Sequence, residues 1–438
     1  MNVLCIGYYD KFSRLFLGVK KHFKTKHPTA YFTIDSMYLS GYLYTLIRGQ
    51  KGSWLSQKAW RLAKKNKNKY KAYLANSHKY KNFDLNKLTS SLFNSKYHKK
   101  EDELLWHAMA YIDILEQKLI EVDLLLLIGD SRLPFEIVKE MAESLQIKTY
   151  HIEQGPYNTT IFDKKGVNAN LSVRGYTPKI EISKEDEKLA CNTLNLQKNK
   201  KYLRNPIYRG LDYFIEFAIM KSSIYPPDLK IDFSILNKRN LTSDNKQFKA
   251  TEHSGKNIFL FACQVPFDVN ITHHSPYFKK HSDILKEIYF NLPKNSILLV
   301  REHPIYKSQY EEDFYTFIRN NERVYLDKDL SLNQALDIVN VVIIVNSTVG
   351  LEAITKNKSV LVLGNSYYDS SNICKKYSSE KNMQDLLVKA LNYTPNKSAV
   401  LDFINYLHKK SLIPGFITDK GTALAHQIAN KIILDLEK

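Results

Sequence analysis

Two carboxylic acids of this chain lie at or shortly after the ends of predicted strands, where reactive side chains lie in an open α/β sheet. Glu153 ends the run 148–152, and Asp268 comes shortly after the run 257–263. One carboxylate can attack or stabilise the anomeric carbon of a sugar while the other moves the proton of an acceptor hydroxyl. Asp268 and Glu153 are therefore candidate catalytic residues for glycosyl transfer.

Other polar side chains after apolar runs could hold a nucleotide. A helix predicted to start at Ser347 and Thr348 presents free N–H groups and a positive dipole end to an anion. Glu352 lies one turn further along, where its carboxylate can accept hydrogen bonds from both hydroxyls of a ribose. The ordinary alternative is a helix cap with a solvated Glu. The full set of candidates for the nucleotide-sugar side is Gln264, Arg301, His303, Ser347, Thr348 and Glu352.

Each of these residues also has a purely structural interpretation. Asp268 could cap a turn, His303 could be a hydrogen-bonded histidine before a proline, and Glu153 could form half of a salt bridge. The recurrence of such residues at successive strand ends is what favours a functional site.

The elements that must position these residues read as two α/β domains. Residues 341–364 form an apolar run, a helical segment and a second apolar run, which predicts a βαβ unit in a buried parallel sheet. Residues 123–152 repeat that pattern. We predict two Rossmann-like domains that face each other across a cleft. Neither a dinucleotide-binding glycine motif nor a P-loop occurs in the sequence.

The predicted boundaries follow from composition. They are a first domain at 1–235 with a basic helical insertion at 43–118, a polar linker at 236–256, a second domain at 257–415, and a C-terminal helix at 416–438 expected to pack on the first domain. Within the first domain, the segment 156–175 is rich in Asn, Thr and Gly and is predicted to be a functional loop. Residues of this loop or of the acceptor side are Arg132, Asp163 and Asn168.

A formal net charge of +19 predicts an anionic partner. Residues 51–81 carry ten Lys or Arg and no acid, together with Trp54 and Trp60. This pattern suits an interfacial helix on anionic lipid, and equally a solvated basic helix. Nucleic acid is disfavoured, because no nucleic-acid-binding motif accompanies the charge. The start of the sequence reads as a strand and not as a signal peptide, and we expect a cytoplasmic protein.

At this point the sequence resembles the capsule polysaccharide biosynthesis family of bacterial β-Kdo glycosyltransferases, which use CMP-Kdo. The resemblance spans about residues 123–364. It rests on motifs that occur in the same order, namely GDSR (129–132), E-x-G followed by D-x-x-G-V-N (153–168), Q-x-x-x-D (264–268), R-x-H-P (301–304) and N-S-T-V-G-L-E-A (346–353).

The resemblance implies a GT-B-like fold and a retaining transfer of β-Kdo to a lipid-linked or nascent polysaccharide. Asp268 matches the nucleophile that forms a glycosyl adduct, and Glu153 matches the general acid/base. No metal or other cofactor is expected, since the donor carries a single phosphate. Expected partners are an anionic glycan acceptor, the inner face of the cytoplasmic membrane and other capsule assembly proteins. Two alternatives stay open: a UDP-sugar as donor, and a non-enzymatic basic protein that binds membrane or nucleic acid.

Overall fold

The strands are short, and most belong to parallel sheets. The computed structural model describes residues 1–93, 101–218, 224–230, 248–266 and 268–437. In chain order the strands are β1 (Asn2–Gly7), β2 (Tyr31–Ser36), β3 (Lys79–Tyr80), β4 (Phe83–Asp84), β5 (Leu124–Ile128), β6 (Lys148–Gln154), β7 (Thr159–Asp163), β8 (Asn257–Ala262), β9 (Ser296–Arg301), β10 (Val324–Leu326), β11 (Val341–Ile344), β12 (Ser359–Val362), β13 (Lys375–Lys376) and β14 (Leu412–Pro414).

Helices connect most of the strands. In chain order they are α1 (Asp10–Phe23), α2 (Leu39–Leu46), α3 (Leu55–Lys65), α4 (Lys67–Leu74), α5 (Leu85–Phe93), α6 (Glu101–Leu119), α7 (Leu133–Ser144), α8 (Lys184–Leu194), α9 (Pro206–Ala218), α10 (Val269–Thr272), α11 (His281–Phe290), α12 (Glu312–Asn320), α13 (Leu332–Ile338), α14 (Thr348–Thr355), α15 (Met383–Leu391), α16 (Lys397–Ser411) and α17 (Ala423–Leu436). Within the described part of the chain, no helix is long and apolar enough to cross a membrane.

The chain folds into two compact units, each with its own sheet. The first unit comprises Met1–Val167, Asn195–Ile231 and Lys410–Lys438, and the second comprises Asn168–Leu194 and Asp232–Lys409. The predicted α/β class with two Rossmann-like domains is confirmed.

The sheet of the first unit has the order β14-β7-β6-β5-β1-β2. Strands β6, β5, β1 and β2 are parallel, whereas β7 runs antiparallel to both β6 and β14. Side chains of β1 alternate between two hydrophobic cores, as a strand buried on both faces requires. Val3 and Cys5 pack with α1 and α17, while Leu4 and Ile6 pack with α3, α6 and α7.

The sheet of the second unit has the order β10-β9-β8-β11-β12-β13, and all of its strands are parallel. Counted from β8, this is the Rossmann order 3-2-1-4-5-6. In such sheets the strand order reverses between the first and fourth strands, and ligands bind there beyond the carboxyl ends. In this unit the reversal lies between β8 and β11. In the first unit it lies between β1 and β5.

The domain boundaries predicted from composition differ from the observed units. Asn168–Leu194, predicted in the first domain, belongs to the second unit, where α8 packs on α16. Asn405 Nδ2 and Lys409 Nζ contact Asp186 Oδ1 at 2.8 and 2.7 Å, and Thr193 Oγ1 lies 3.0 Å from His408 Nδ1. The C-terminal helix α17 belongs to the first unit and packs on α1.

The predicted linker 236–256 lies partly outside the described residues. Its described end, from residue 248, packs on the second unit. The His253 ring lies 5.5 Å from the ring of Phe248 and 4.6 Å from that of Tyr325. This end of the segment is therefore part of a folded unit and not a free linker.

The prediction of a polar loop at 156–175 is wrong at residues 159–163. Thr159–Asp163 forms the buried strand β7, which pairs with β6 on one side and β14 on the other. Helix α16 was not predicted at all. Its hydrogen bonds to α8 join segments that are distant in the sequence, and such contacts leave no local pattern.

The basic segment 51–81 folds as α3, α4 and the turn before β3, so the prediction of helix there is confirmed. Its two tryptophans pack partly against the protein. Trp54 and Trp60 are half-buried against the hydrophobic core of the first unit, and Trp54 Nε1 donates to the Met37 carbonyl at 3.0 Å. This packing leaves only part of each ring exposed, and the lipid-anchoring role of these two side chains stays a prediction.

Candidate functional site

In the first unit, Glu153 lies where the sequence predicted it, at the carboxyl edge of the sheet. It is the next-to-last residue of strand β6. Its side chain is half-buried, and its Oε1 accepts a hydrogen bond from the Gln154 N–H at 2.9 Å. Burial raises the pKa of the Glu153 carboxyl, and the positive charges of Lys11 and Arg132 oppose that rise. A carboxyl held in this balance suits a general acid/base.

Gly129 leaves room beside Glu153. It follows β5 and has φ +80°, a conformation that glycine adopts without strain. A Cβ at this position would lie 3.2 Å from the Tyr8 hydroxyl and 3.8 Å from Oε2 of Glu153. A Cβ would therefore be in tight contact with the Tyr8 hydroxyl and in ordinary contact with the carboxylate.

Lys11 is a cation at this edge that the sequence analysis missed. Its Nζ lies 5.3 Å from the ring centroid of Tyr9 and 4.7 Å from that of Phe12. Burial lowers the pKa of Lys11, and the negative charge of Glu153 opposes that change. Lys11 lies in the first turn of α1, four residues after β1 ends, so a search of the residues that closely follow β1 would have included it.

The three residues predicted for the acceptor side have different surroundings. The Arg132 guanidinium lies 5.5 Å from the Tyr8 ring centroid, at the same edge as Glu153. Asp163 is buried and caps a turn, since its Oδ1 accepts from the Lys165 N–H at 2.8 Å while Oδ2 accepts from Ser411 Oγ. Asn168 has φ +51° and opens a short 3-10 helix where the chain enters the second unit. Asp163 thus shapes the loop, and a role toward an acceptor stays a prediction.

In the second unit, a chain of hydrogen bonds spans the point where the strand order reverses. Gln264 follows β8, and its Nε2 donates to Oδ1 of Asn346, which follows β11. Asn346 Nδ2 donates to the Asn270 carbonyl at 3.2 Å, and Asn270 Nδ2 donates to Asp268 Oδ2 at 3.0 Å. Asp268 is half-buried and stands immediately before α10. Gln264 and Asp268, both predicted, are thereby held in one network with Asn346.

Gln264 also carries an unused acceptor. Its side chain is buried, and within the described part of the chain its Oε1 has no hydrogen-bond partner. A buried polar atom without a partner costs free energy of about 1–3 kcal/mol. Such an atom at a strand-order reversal is what a ligand donor would satisfy.

His303 lies beside Asp268 at the same edge. Burial lowers the pKa of its imidazole, and the carboxylate of Asp268 opposes that change. Tyr310 joins the loops that carry these residues. Its hydroxyl donates to the Gln264 carbonyl at 2.8 Å and accepts from the His303 N–H at 3.0 Å. Tyr310 was missed because it is remote from any strand end in the sequence.

Arg301 is already paired within its own unit. Its NH1 donates to Oδ2 of the buried Asp327 and, at 2.8 Å, to the Leu330 carbonyl. This pairing gives Arg301 a structural role at the end of β9. Its binding to the phosphate of a nucleotide stays a prediction.

The predicted helix start after β11 is present. Ser347 is the N-cap of α14, and its Oγ accepts from the Val349 N–H at 3.3 Å. Thr348 is the first helical residue and is exposed, while Glu352 is half-buried one turn further along. The Tyr368 hydroxyl donates to the Ser347 carbonyl and fixes this turn from behind. The N-terminus of α14 thus opens beside Asn346, at the same edge as Asp268.

Among the described residues, no group of three or more His, Cys, Asp or Glu side chains is placed to bind a metal ion. The expectation that transfer needs no metal stays a prediction.

Comparison with known proteins places these residues in one family. A family model described as "Capsule polysaccharide biosynthesis protein" matches residues 123–390, which is more than half of the chain. Protein FixF of Sinorhizobium fredii is 25% identical over 176 residues, which are 40% of this chain and 42% of FixF. Capsule polysaccharide export protein KpsS of Escherichia coli is 29% identical over 120 residues, which are 25% of this chain and 31% of KpsS. The chain therefore spans less than half of the length of these curated relatives.

Two solved structures are similar at low identity. The β-Kdo 2,7 transferase of KpsC from Thermosulfurimonas dismutans has 12% identity and a TM-score of 0.40, over 93% of this chain and 99% of that chain. A putative UDP-N-acetylglucosamine 2-epimerase from Listeria monocytogenes has 11% identity and a TM-score of 0.32, over 100% of this chain and 96% of that chain. Both scores lie below 0.5, and neither likeness identifies a function.

Proposed function

The chain belongs to the capsule polysaccharide biosynthesis family, and on that premise we propose that it is a retaining glycosyltransferase that moves β-Kdo from CMP-Kdo to a surface glycan. The observation that carries the proposal is the network at the strand-order reversal of the second unit. There hydrogen bonds link Asp268 through Asn270 to Asn346, and the buried Oε1 of Gln264 lacks a partner within the described part of the chain.

The proposed reaction has two displacement steps. The Asp268 carboxylate attacks the anomeric carbon, a carbon–oxygen bond forms, and the bond to the phosphate oxygen breaks so that CMP leaves. An acceptor hydroxyl then gives its proton to Glu153 and attacks the same carbon, which releases Asp268. Two inversions retain the configuration of the sugar. The proposal assigns one carboxylate of each unit to the same reaction.

The donor side is assigned to the second unit. We assign the phosphate of CMP to the N–H groups at the start of α14, with the hydroxyls of Ser347 and Thr348, because a helix N-terminus favours an anion. Arg301 would add its guanidinium, and Glu352 would accept the ribose hydroxyls. A donor with a single phosphate leaves as a monophosphate, so the proposal needs no divalent ion.

The acceptor side is assigned to the first unit. Lys11 and Arg132 flank Glu153 there, and two cations suit an anionic glycan. A lipid-linked or nascent acceptor would be met on the inner face of the cytoplasmic membrane, together with other capsule assembly proteins.

Thermal unfolding in the presence of CMP and of UDP tests the donor most cheaply. A ligand at about 100 times its Kd stabilises the folded state by about 2.7 kcal/mol. We expect CMP to raise the unfolding temperature and UDP to have little effect. A larger shift with UDP would indicate a UDP-sugar as donor. No shift with either nucleotide, at saturating concentration, would contradict the proposal and favour a non-enzymatic basic protein.

A further inference from the structure

Helix α9 of the first unit buries acidic side chains and exposes apolar ones, which is the opposite of an ordinary surface helix. Its buried residues are acidic, since Asp212 and Glu216 are only 3% and 6% exposed. Three of its large apolar residues face outward, with Ile207 at 77%, Phe214 at 64% and Phe217 at 73% exposure, while Leu211 and Ile215 are half-buried. A surface helix normally buries its apolar stripe and exposes its charges. This reversal calls for something that covers the apolar side.

The exposed apolar residues of α9 share one face. Ile207, Phe214 and Phe217 are separated by seven and three residues, which is helical spacing. Gly210 lies between them, and a Cβ there would meet nothing within 4 Å. Leu203, just before the helix, is also exposed. Single exposed apolar residues are common, whereas an aligned set marks an interaction surface.

Buried polar contacts fix this orientation. Asp212 Oδ1 accepts from the Ser40 N–H at 2.9 Å, and its Oδ2 accepts from Arg204 NH2 at 2.9 Å. Arg204 also pairs with the buried Asp10 at the start of α1. A rotation of α9 that buried its phenylalanines would break this ion-pair network. These buried polar contacts therefore hold the apolar face of α9 toward the solvent.

The surroundings of this face are basic. Residues 195–211 contain five Lys or Arg and no acid. Lys200, Lys201 and Arg209 are exposed. The neighbouring helix α2 ends in Leu46 and Ile47, which are exposed as well. An outward apolar face bordered by cations is the pattern of a helix that lies in the surface of an anionic bilayer.

We propose that the face formed by Leu203, Ile207, Phe214 and Phe217, here called the α9 face, inserts into the headgroup region of an anionic lipid bilayer. The lysines and arginines beside it would contact lipid phosphates. This surface replaces the basic segment 51–81 as the main membrane contact, because the tryptophans of that segment are half-buried in the protein core.

The α9 face is linked to the candidate site of its own unit. The Arg204 guanidinium, which holds Asp212, lies 4.4 Å from the ring centroid of Tyr9. Tyr9 follows β1 at the same sheet edge as Glu153, and the two groups interact electrostatically. A bilayer on the α9 face would bring a lipid-linked acceptor toward Glu153. Only this last step rests on the proposed function.

Cosedimentation of the full chain with vesicles tests the lipid contact. The vesicles are phosphatidylglycerol mixed with phosphatidylcholine, against phosphatidylcholine alone. We expect Phe214→Ser/Phe217→Ser to lose about tenfold or more in binding to the anionic vesicles, because two large apolar side chains no longer leave water. These positions are exposed, so the variant should fold, which circular dichroism would verify.

Matched controls separate insertion from charge. Phe290 in the second unit is 73% exposed, as is Phe217, so Phe290→Ser should bind vesicles like the wild type. Lys200→Gln/Lys201→Gln should weaken binding at low salt and little at high salt. Lys64→Gln/Lys65→Gln, in segment 51–81, should have a smaller effect than the α9 variant. If the Phe214→Ser/Phe217→Ser protein bound like the wild type, or if wild type bound neither vesicle, the proposal would be overturned.

Sedimentation velocity without lipid tests a second copy of the chain as the occupant. A dimer that Phe214→Ser/Phe217→Ser dissociates would assign the α9 face to self-association and overturn the lipid assignment; a monomer supports it. The thermal shift with CMP is independent of this face and should be equal in wild type and variant. Failure of the CMP shift would therefore refute the proposed donor and leave the vesicle result intact.

Discussion

At the residue scale, the proton-transfer role rests on Glu153. Burial raises the pKa of its carboxyl, while the positive charges of Lys11 and Arg132 oppose that rise. The fraction of enzyme in which Glu153 is ionised, and with it the transfer rate, should therefore depend on pH. We predict that Glu153→Gln lowers the transfer rate about 10²–10⁴-fold, the usual contribution of a general acid/base. Initial rates with acceptor across pH would show this, and the wild-type pH limb assigned to Glu153 should vanish. Turnover at the wild-type level would make Glu153 structural.

The raised pKa of Glu153 also has a consequence for stability. A carboxyl whose folded pKa exceeds its unfolded value favours the folded state at low pH, and that contribution is lost as pH rises through the folded pKa. Glu153→Gln removes this loss. Its free energy of unfolding, measured in urea, should therefore equal that of the wild type near pH 4 and exceed it at pH 7.

Arg301 needs a variant that separates its structural from its binding role. Arg301→Ala leaves Asp327 buried without its partner, which typically costs about 3–5 kcal/mol. Arg301→Ala/Asp327→Ala removes both charges and should recover much of that stability. If the guanidinium binds the phosphate, calorimetry will find weak CMP binding in both variants. Recovery of CMP affinity in the double variant would instead assign Arg301 to structure alone.

At the element scale, the sequence allowed prediction of the elements whose signal is local. Strand β11 is a continuous β-branched run, β12 is a short run rich in Val and Leu, and Ser347 carries the cap signal between them, so this βαβ unit was predictable. The rule that polar residues follow strand ends then selected Glu153, Gln264 and Asp268. What it could not supply is the network itself, because Asn346 and Tyr310 act through partners distant in sequence.

Elements stabilised by distant partners escaped prediction for the same reason. Strand β7 looked like a polar loop, since its pairing with β14 joins Ile161 to Leu412 across most of the chain. Helix α16 mixes strong helix formers such as Ala, Leu and Lys with weak ones such as Asn, Tyr and Val, and its contacts with α8 join segments distant in sequence. Local patterns therefore predicted the core strands and missed β7 and α16, whose partners are distant in the sequence.

Two helical glycines give a matched test of the packing of α17 on α1. A Cβ at Gly18 would lie 2.8 Å from the Cβ of Ala425, whereas one at Gly210 meets open space. Gly18→Ala should destabilise by about 1–3 kcal/mol through overpacking. Gly210→Ala should stabilise by up to about 1 kcal/mol through helix propensity. Chemical denaturation would measure both.

A compensating exchange checks the cause of that loss. Gly18→Ala/Ala425→Gly moves one methyl group from α17 to α1 and should return the stability close to that of the wild type. If the double variant were as unstable as Gly18→Ala alone, close contact between these helices would not explain the effect.

At the scale of the whole molecule, composition predicted two domains but not how the chain is shared between them. The boundary after Val167 and the return of residues 410–438 to the first unit are set by contacts of α8 and α17 with distant helices. The net charge of +19 predicts an anionic partner, and that partner stays a prediction. Choosing the α9 face over segment 51–81 required the burial of each side chain, which the sequence does not contain.

Intact-mass spectrometry with CMP-Kdo tests the central claim most directly. The account predicts that wild type without acceptor gains the mass of one Kdo residue and releases CMP. Asp268→Ala and Asp268→Asn should gain no such mass, although their CMP affinity stays within a few-fold of the wild type. Glu153→Gln should accumulate the adduct, because the second step then lacks its base. An adduct that persists in Asp268→Ala, or transfer by that variant at the wild-type rate, would contradict the account.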